Sequence, residues 1–172
     1  MNYDLFRDIN NLSGNGALDA LMKFSAKYVI FIAVLIVAVL CLDRLRRRAV
    51  VPVVATVVAL VLTFLLGLVG AALYSERRPF QSHRVHELVA HAGGQSFPSD
   101  HATAAFGLAL AAYAFLSRRW GAALFVLALL IGFARVYVGI HYPGDIGGGF
   151  LAAVIGVGVV ALLYRRRSPR RL

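Results

Sequence analysis

AVVPVVATVVALVLTFLLGLVGAALY, residues 49–74, contains no Asp, Glu, Lys, Arg or His. A helix needs about 20 apolar residues to cross roughly 30 Å of bilayer hydrocarbon, and this stretch exceeds that without a break. Ile146–Tyr164 is equally free of charge. Three shorter charge-free runs, Tyr28–Leu42, Ala102–Leu116 and Trp120–Ala134, reach a crossing length only with Lys27, Asp43, His101 or Arg135 near their ends. Long side chains at such ends extend to the headgroups. The whole chain, 172 residues, is 60% hydrophobic with a mean hydropathy of +0.75, against about 45–50% apolar residues in ordinary soluble domains. The reading is an all-α integral membrane helix bundle, a single domain over 1–172 with about five transmembrane helices.

Residues 1–27 lack the basic start and unbroken apolar core of a cleavable signal peptide. Leu5, Ile9 and Leu12 recur at helical spacing, as do Leu18, Leu21 and Met22. That predicts an N-terminal helix lying in the membrane interface, with a mobile tail as the alternative. Cys41 stands alone, so no intrachain disulfide is available, and its apolar run makes it a packing residue.

A net charge of +10 raises the question of nucleic acid, but the distribution answers it. Arg44, Arg46, Arg47 and Arg48 follow the first run, Arg118 and Arg119 the third, and Arg165, Arg166, Arg167, Arg170 and Arg171 the fifth. With alternating crossings these groups share one side, and the positive-inside rule makes that side cytoplasmic. Residues 165–172 are then a basic cytoplasmic tail. The charge sets topology and implies no nucleic-acid partner.

All five histidines fall on or at the edge of the other side: His83, His86, His91, His101 and His141. Arg77, Arg78, Arg84 and Arg135 accompany them, and the rule that places arginine inside does not account for these. Ionisable residues at the edge of a span are functional candidates. They fall in three clusters, SERRPF (75–80), FPSDH (97–101) and ARVYVGIHYPGD (134–145), expected to converge on one face. Paired arginine forks suit phosphate oxygens. Ser99 is a natural N-cap for a helix through His101 and Thr103, whose first N–H groups form an anion site. His141 and Asp145 are four apart, so the carboxylate can hold one ring nitrogen and present the other. A neutral imidazole so held can attack phosphorus, and His101 can protonate the leaving oxygen. Arginines then stabilise the charge on the phosphoryl oxygens, with no metal and no cofactor required.

These residues resemble the type-2 phosphatidic acid phosphatase superfamily of membrane lipid phosphatases. Arg78-Pro79 is similar to its first motif and Pro98-Ser99-Asp100-His101 to its second. Arg135, His141 and Asp145 match the third at the family's spacing. The resemblance implies that His141 is the nucleophile, Asp145 its partner and His101 the acid, with Arg78, Ser99 and Arg135 on the phosphate. Three departures stand out: Ala71 where the first motif has lysine, Asp100 where the second has glycine, and Ala134 where the third has serine. Arg77 or Arg84 is the expected substitute for the lysine, and Asp100 is expected to pair with one of them or to stay protonated near bound substrate. PSDH, ERRPF, VGIHYPGD, the opening MNYDLFRDIN and the histidine-bearing loop look most similar to one branch, the bacterial undecaprenyl-diphosphate phosphatases linked to bacitracin resistance. That implies a polyprenyl diphosphate substrate, an outward-facing site in the bacterial plasma membrane and recycling of a cell-wall carrier lipid. The same residues would serve a phosphatidic acid or phosphatidylglycerophosphate phosphatase. From another class, a non-catalytic lipid-phosphate binder or flippase would use the arginines for affinity alone.

Other polar and aromatic residues read more blandly. His83, His86 and Glu87 fit no strong metal signature, so loop or headgroup contacts are expected. Glu76 either positions an arginine or caps a helix. Tyr137 and Tyr142 line the pocket or sit in the interfacial aromatic belt, with the belt preferred, and Trp120 belongs to the belt. Gly144, Gly147, Gly148 and Gly149 read as close helix packing.

Overall fold

The computed structural model describes residues 2–167; among these the regular elements are helices joined by loops, with one isolated β-bridge between Arg77 and Gln95. The elements are α1 (Asn2–Asn10), α2 (Gly16–Lys27), α3 (Val29–Arg46), α4 (Val50–Leu73), the single turn α5 (Pro79–Ser82), α6 (Asp100–Ala111), α7 (Arg118–Tyr137) and α8 (Pro143–Arg167). A π-helical turn, Ala112–Leu116, closes α6. Arg170 and Arg171, expected in the basic tail, lie outside the described residues.

α4, α7 and α8 are each long and apolar enough to cross a membrane, and α2 with α3 meets the same test as a pair bent by 46°. The fifth expected crossing, Asp100–Leu116, is shorter. At 1.5 Å per residue it spans about 25 Å, less than the hydrocarbon thickness. Its ends explain this. Ser99 caps one, and Ser117, which caps α7, follows the other at once. α6 does not depend on lipid contact for its place, because α3, α4, α7 and α8 all pack against it. Its Ala- and Gly-rich sequence suits that central position: Ala102, Ala105, Ala109 and Ala111 are buried. A Cβ on Gly149 would stand 2.7 Å from the Thr103 backbone nitrogen, and one on Gly156 would stand 2.8 Å from that of Thr63. Small residues thus let α8 approach α6 and α4 closely, as helix pairs in lipid require. The opposite faces carry Phe31, Leu35, Val51, Leu65, Val126 and Leu162, all exposed. Apolar surface of that extent is the mark of a lipid-facing wall.

The N-terminal segment is two helices rather than one. Gly14, at φ 116°, turns the chain, and Asn15 caps α2 by accepting from the N–H groups of Ala17 and Leu18. Both helices dock on α7, and Phe6, Asn10, Met22 and Ala26 are buried there, so this is no mobile tail. Asn10 donates to the carbonyls of His86 and Tyr137 and accepts from the His86 N–H. Tyr137 and Tyr142 are not in an aromatic belt. Tyr137 is fully buried, donating to Leu12 O and Asp19, and Tyr142 packs edge-on against Phe6. Trp120, at the start of α7, is half exposed.

The bundle has two chemically different ends. Arg44 donates to the carbonyl of Leu116, and Phe115 packs edge-on against Tyr164. Those contacts bring the end of α3, the end of the π turn and the end of α8 together, with the start of α7 directly after. The arginine groups at 44–48, 118–119 and 165–166 therefore share one end. The motif residues lie at the other.

Candidate active site

Backbone hydrogen bonds assemble the three motifs. The Ser96 N–H donates to Glu76 O at 2.7 Å, joining the Arg78 segment to the loop before α6. The Ser99 N–H donates to Asp145 O at 3.1 Å, joining that loop to α8. Ser99, wholly buried, also caps α6: its hydroxyl accepts from the Ala102 N–H and its carbonyl from the N–H and hydroxyl of Thr103. Where the family's lysine would stand, Ala71 offers only its carbonyl, which accepts from the Gln95 side-chain amide, as does Tyr74 O.

His141 sits in the link between α7 and α8, only 2% exposed, with Asp145 fully buried beneath it. The expected spacing holds: His141 Nδ1 meets Asp145 Oδ2 at 3.1 Å. The Tyr142 N–H donates to the same oxygen at 2.8 Å, and so does the Ser96 hydroxyl, which lies 3.4 Å from His141 Nδ1. With Nδ1–H donated to a carboxylate, Nε2 carries the lone pair. Burial pushes the imidazole down to about 4, against the opposing hydrogen bond from Asp145, so the ring is neutral at ordinary pH.

Two guanidinium groups point at that lone pair. Arg78 Nη1 lies 3.1 Å from His141 Nε2 and Arg135 Nη2 lies 3.3 Å from it. Each arginine is held in place by a backbone carbonyl, Arg78 by Ile140 O and Arg135 by Ala26 O, both at 3.2 Å. Arg78 is 9% exposed and Arg135 5%, yet among the described residues neither forms an ion pair with a carboxylate. The Nε of each is buried without a partner. Burial lowers the pKa of Arg78, and the charges of Asp145 and Asp100 oppose the shift. Two desolvated cations with unmet donors constitute a receptor for an anion. An anion with several oxygens, set directly against Nε2, would meet those donors.

The remaining candidates are less tightly placed. His101, half-buried in the first turn of α6, is within electrostatic reach of Arg135, His141 and His91. Asp100 is exposed and makes no ion pair with Arg77 or Arg84, against the expected pairing; its charge acts on Arg78 and Arg135 instead. Arg77 and Arg84 are both exposed, Arg77 in the bridge to Gln95. Among the described residues Glu76 neither pairs with an arginine nor caps a helix. Burial and the nearby charge of Asp145 raise its pKa, and its side chain bonds Tyr74. The loop histidines are engaged separately: His83 stacks on Tyr3, His86 Nδ1 meets Ser13 Oγ at 2.6 Å, and His91 Nδ1 meets Ala92 O. Sequence reasoning missed Ser96, and nothing in its spacing singles it out.

The model of the PAP2 superfamily matches residues 52–169. Undecaprenyl-diphosphatase BcrC of Bacillus subtilis (strain 168) is 38% identical over 159 residues, covering 90% of this chain and 80% of that protein. The bacitracin transport permease protein BcrC of Bacillus licheniformis is 32% identical over 157 residues, covering 90% of this chain and 76% of its own. Among solved structures, the crystal structure of Aquifex aeolicus LpxE aligns with a TM-score of 0.74 at 28% identity over 95% of each chain.

Proposed function

The chain belongs to the PAP2 superfamily, and from that membership we propose that it is a membrane phosphatase removing the terminal phosphate of undecaprenyl diphosphate. The observation that carries this reading is the convergence of two buried, carboxylate-free guanidinium groups on His141 Nε2. The B. subtilis relative, named for that activity, supplies the substrate class.

His141 Nε2 attacks the terminal phosphorus, and the bond from phosphorus to the bridging oxygen breaks. The electron pair leaves on that oxygen, which takes a proton from His101 and departs as undecaprenyl phosphate. Asp145 Oδ2 holds Nδ1–H and stabilises the positive charge that the phosphorylated imidazole acquires. Arg78, Arg135, the Ser99 hydroxyl and the first N–H groups of α6 bind the phosphoryl oxygens, whose charge is the main thing to be stabilised in such a transfer. Water then attacks the phosphohistidine and gives a proton to His101. The P–N bond breaks, its pair returns to Nε2, and inorganic phosphate leaves.

The arginine groups at the far end of the bundle support an outward-facing site with the C-terminus in the cytoplasm. On that face, the product is a carrier lipid ready to be reused in cell-wall synthesis.

The test is phosphate release by purified protein in detergent and EDTA, from undecaprenyl diphosphate and phosphatidic acid side by side, with His141→Ala as the blank. Release from the diphosphate that vanishes in the variant is the expected result. Preference for phosphatidic acid would keep the chemistry and replace the substrate. The name of the B. licheniformis relative suggests a carrier instead; lipid movement that persists in His141→Ala, with no release by the wild type, would decide for that.

A further inference from the structure

We infer that the isoprenoid tail of the lipid diphosphate leaves the site along the groove between α3, α4 and α6, directly beneath His101. This rests on the phosphatase reading, and it names the part of the protein that reads the tail.

The argument begins with the direction of the reaction. In a phosphoryl transfer the attacking and leaving atoms lie roughly in line across phosphorus. His141 attacks with Nε2, so the leaving oxygen lies on the side away from Nδ1 and Asp145, next to the acid that protonates it. The tail is attached to that leaving group. Whatever groove holds the first isoprene units must therefore open beside His101.

Among the described residues one apolar groove, lined by Ala109, Tyr113, Gly121 and Phe125, lies towards the end that carries Arg118 and Arg119, and of three others nearer the site only one meets this condition. The first, of about 320 Å³, is lined by Val34 from α3, Leu60 and Phe64 from α4, and Ala104 and Leu108 from α6. Ala104 and Leu108 follow His101 by three and seven residues, which places all three on one face of α6. Helical side chains lean towards the N-terminus, so Ala104 covers the turn that carries His101. Ala104 is exposed and its methyl leaves the path from His101 open.

The second groove, of about 280 Å³ between α4 and α8, has Phe97 in its lining; that ring lies against both Gly70 of α4 and Gly148 of α8, is backed edge-on by Tyr74, and so stands between this groove and the His101 turn. The third, of about 210 Å³, runs between α6, α7 and α8 from Ile146 past Phe106, Phe125 and Phe150. Ile146 adjoins Asp145, so this groove opens behind the nucleophile, on the Nδ1 side.

The experiment compares Ala104→Phe, which fills the first groove, with Leu151→Trp in the second and Leu129→Trp in the third. All three positions face outward, where added bulk is tolerated. Each is assayed on undecaprenyl diphosphate and on isopentenyl diphosphate, whose tail is too short to reach any groove. Ala104→Phe should raise KM for undecaprenyl diphosphate roughly tenfold or more, the scale of overpacking a fitted site. Its turnover of isopentenyl diphosphate should stay within about twofold of wild type, as should both substrates with the two tryptophan variants. Equal losses on both substrates, no loss, or a chain-length-dependent loss in Leu151→Trp or Leu129→Trp would overturn the assignment. If the wild type released phosphate from neither substrate, the phosphatase reading would fall and the groove assignment with it.

Discussion

Ser96 donates its hydroxyl proton to Asp145, onto the same Oδ2 that orients His141. The other oxygen of that carboxylate, Oδ1, is buried with no partner among the described residues. Three donors on one oxygen and none on the other fix the rotation of the carboxylate, and through it the ring of His141. Ser96→Ala should therefore lower kcat roughly tenfold to a hundredfold, the usual scale for a group that acts by orienting another, with KM little changed. In an Asp145→Asn background the same substitution should cost much less, because the two residues act as a unit. Steady-state kinetics on the four proteins of this cycle check both statements.

The arginines divide sharply by burial. Arg78→Ala or Arg135→Ala should each lower kcat by about 10²–10³, as loss of a preorganised donor does elsewhere. Lysine should not rescue Arg135, whose two terminal nitrogens reach Ala26 O and Nε2 separately, a fork that an ammonium lacks, whereas at Arg78 a single Nη1 makes both contacts and lysine should restore part of the loss. Arg77→Ala and Arg84→Ala, at exposed positions, should change kcat/KM by less than about fivefold. A larger loss at Arg84 than at Arg78 would place the phosphate elsewhere.

Burial holds His141 neutral in the fold down to about pH 4, whereas the unfolded chain takes up that proton near 6.5. Above pH 6.5 both states are neutral here and the residue adds no pH dependence. Between 6.5 and about 4 the unfolded state binds the extra proton, so stability falls as pH falls through that window. Going from pH 7 to pH 5, wild type should lose more Tm than His141→Gln in the same detergent. Parallel losses would argue against a buried neutral imidazole.

Asn10 joins α1, the loop at His86 and the end of α7 through three hydrogen bonds. Asn10→Ala leaves buried backbone groups unmet and should destabilise the protein by about 1–3 kcal/mol. Amide exchange at residues 83–88 should quicken before exchange in α6 does.

The wall of the bundle and the core of the site were both legible in the sequence, for the same reason: each rests on local spacing. Charge-free runs predict spans, and a four-residue step predicts that His141 meets Asp145. The break between α1 and α2 was also written there, in Gly14 and the capping residue Asn15, but the recurring leucines on both sides masked it. Ser96 and Tyr137 were not legible. A serine earns its place by the tertiary path that brings it onto Asp145, and a tyrosine near a membrane edge looks the same whether it faces headgroups or, like Tyr137, lies buried against α1 and α2. Nor could spacing reveal that Asp100 would ignore Arg77 and Arg84, since its partners are chosen by how α6 enters the bundle.

The two guanidinium groups that converge on His141 Nε2 also cover it. Its lone pair is occupied by Arg78 and Arg135 until something draws their protons away. A neutral electrophile drifting in from the bilayer has no means of doing so. A phosphate does, because its oxygens are better acceptors than an imidazole nitrogen. On the proposed mechanism the resting protein would thus stay chemically quiet in a membrane full of esters until the negative charge of an incoming headgroup arms it.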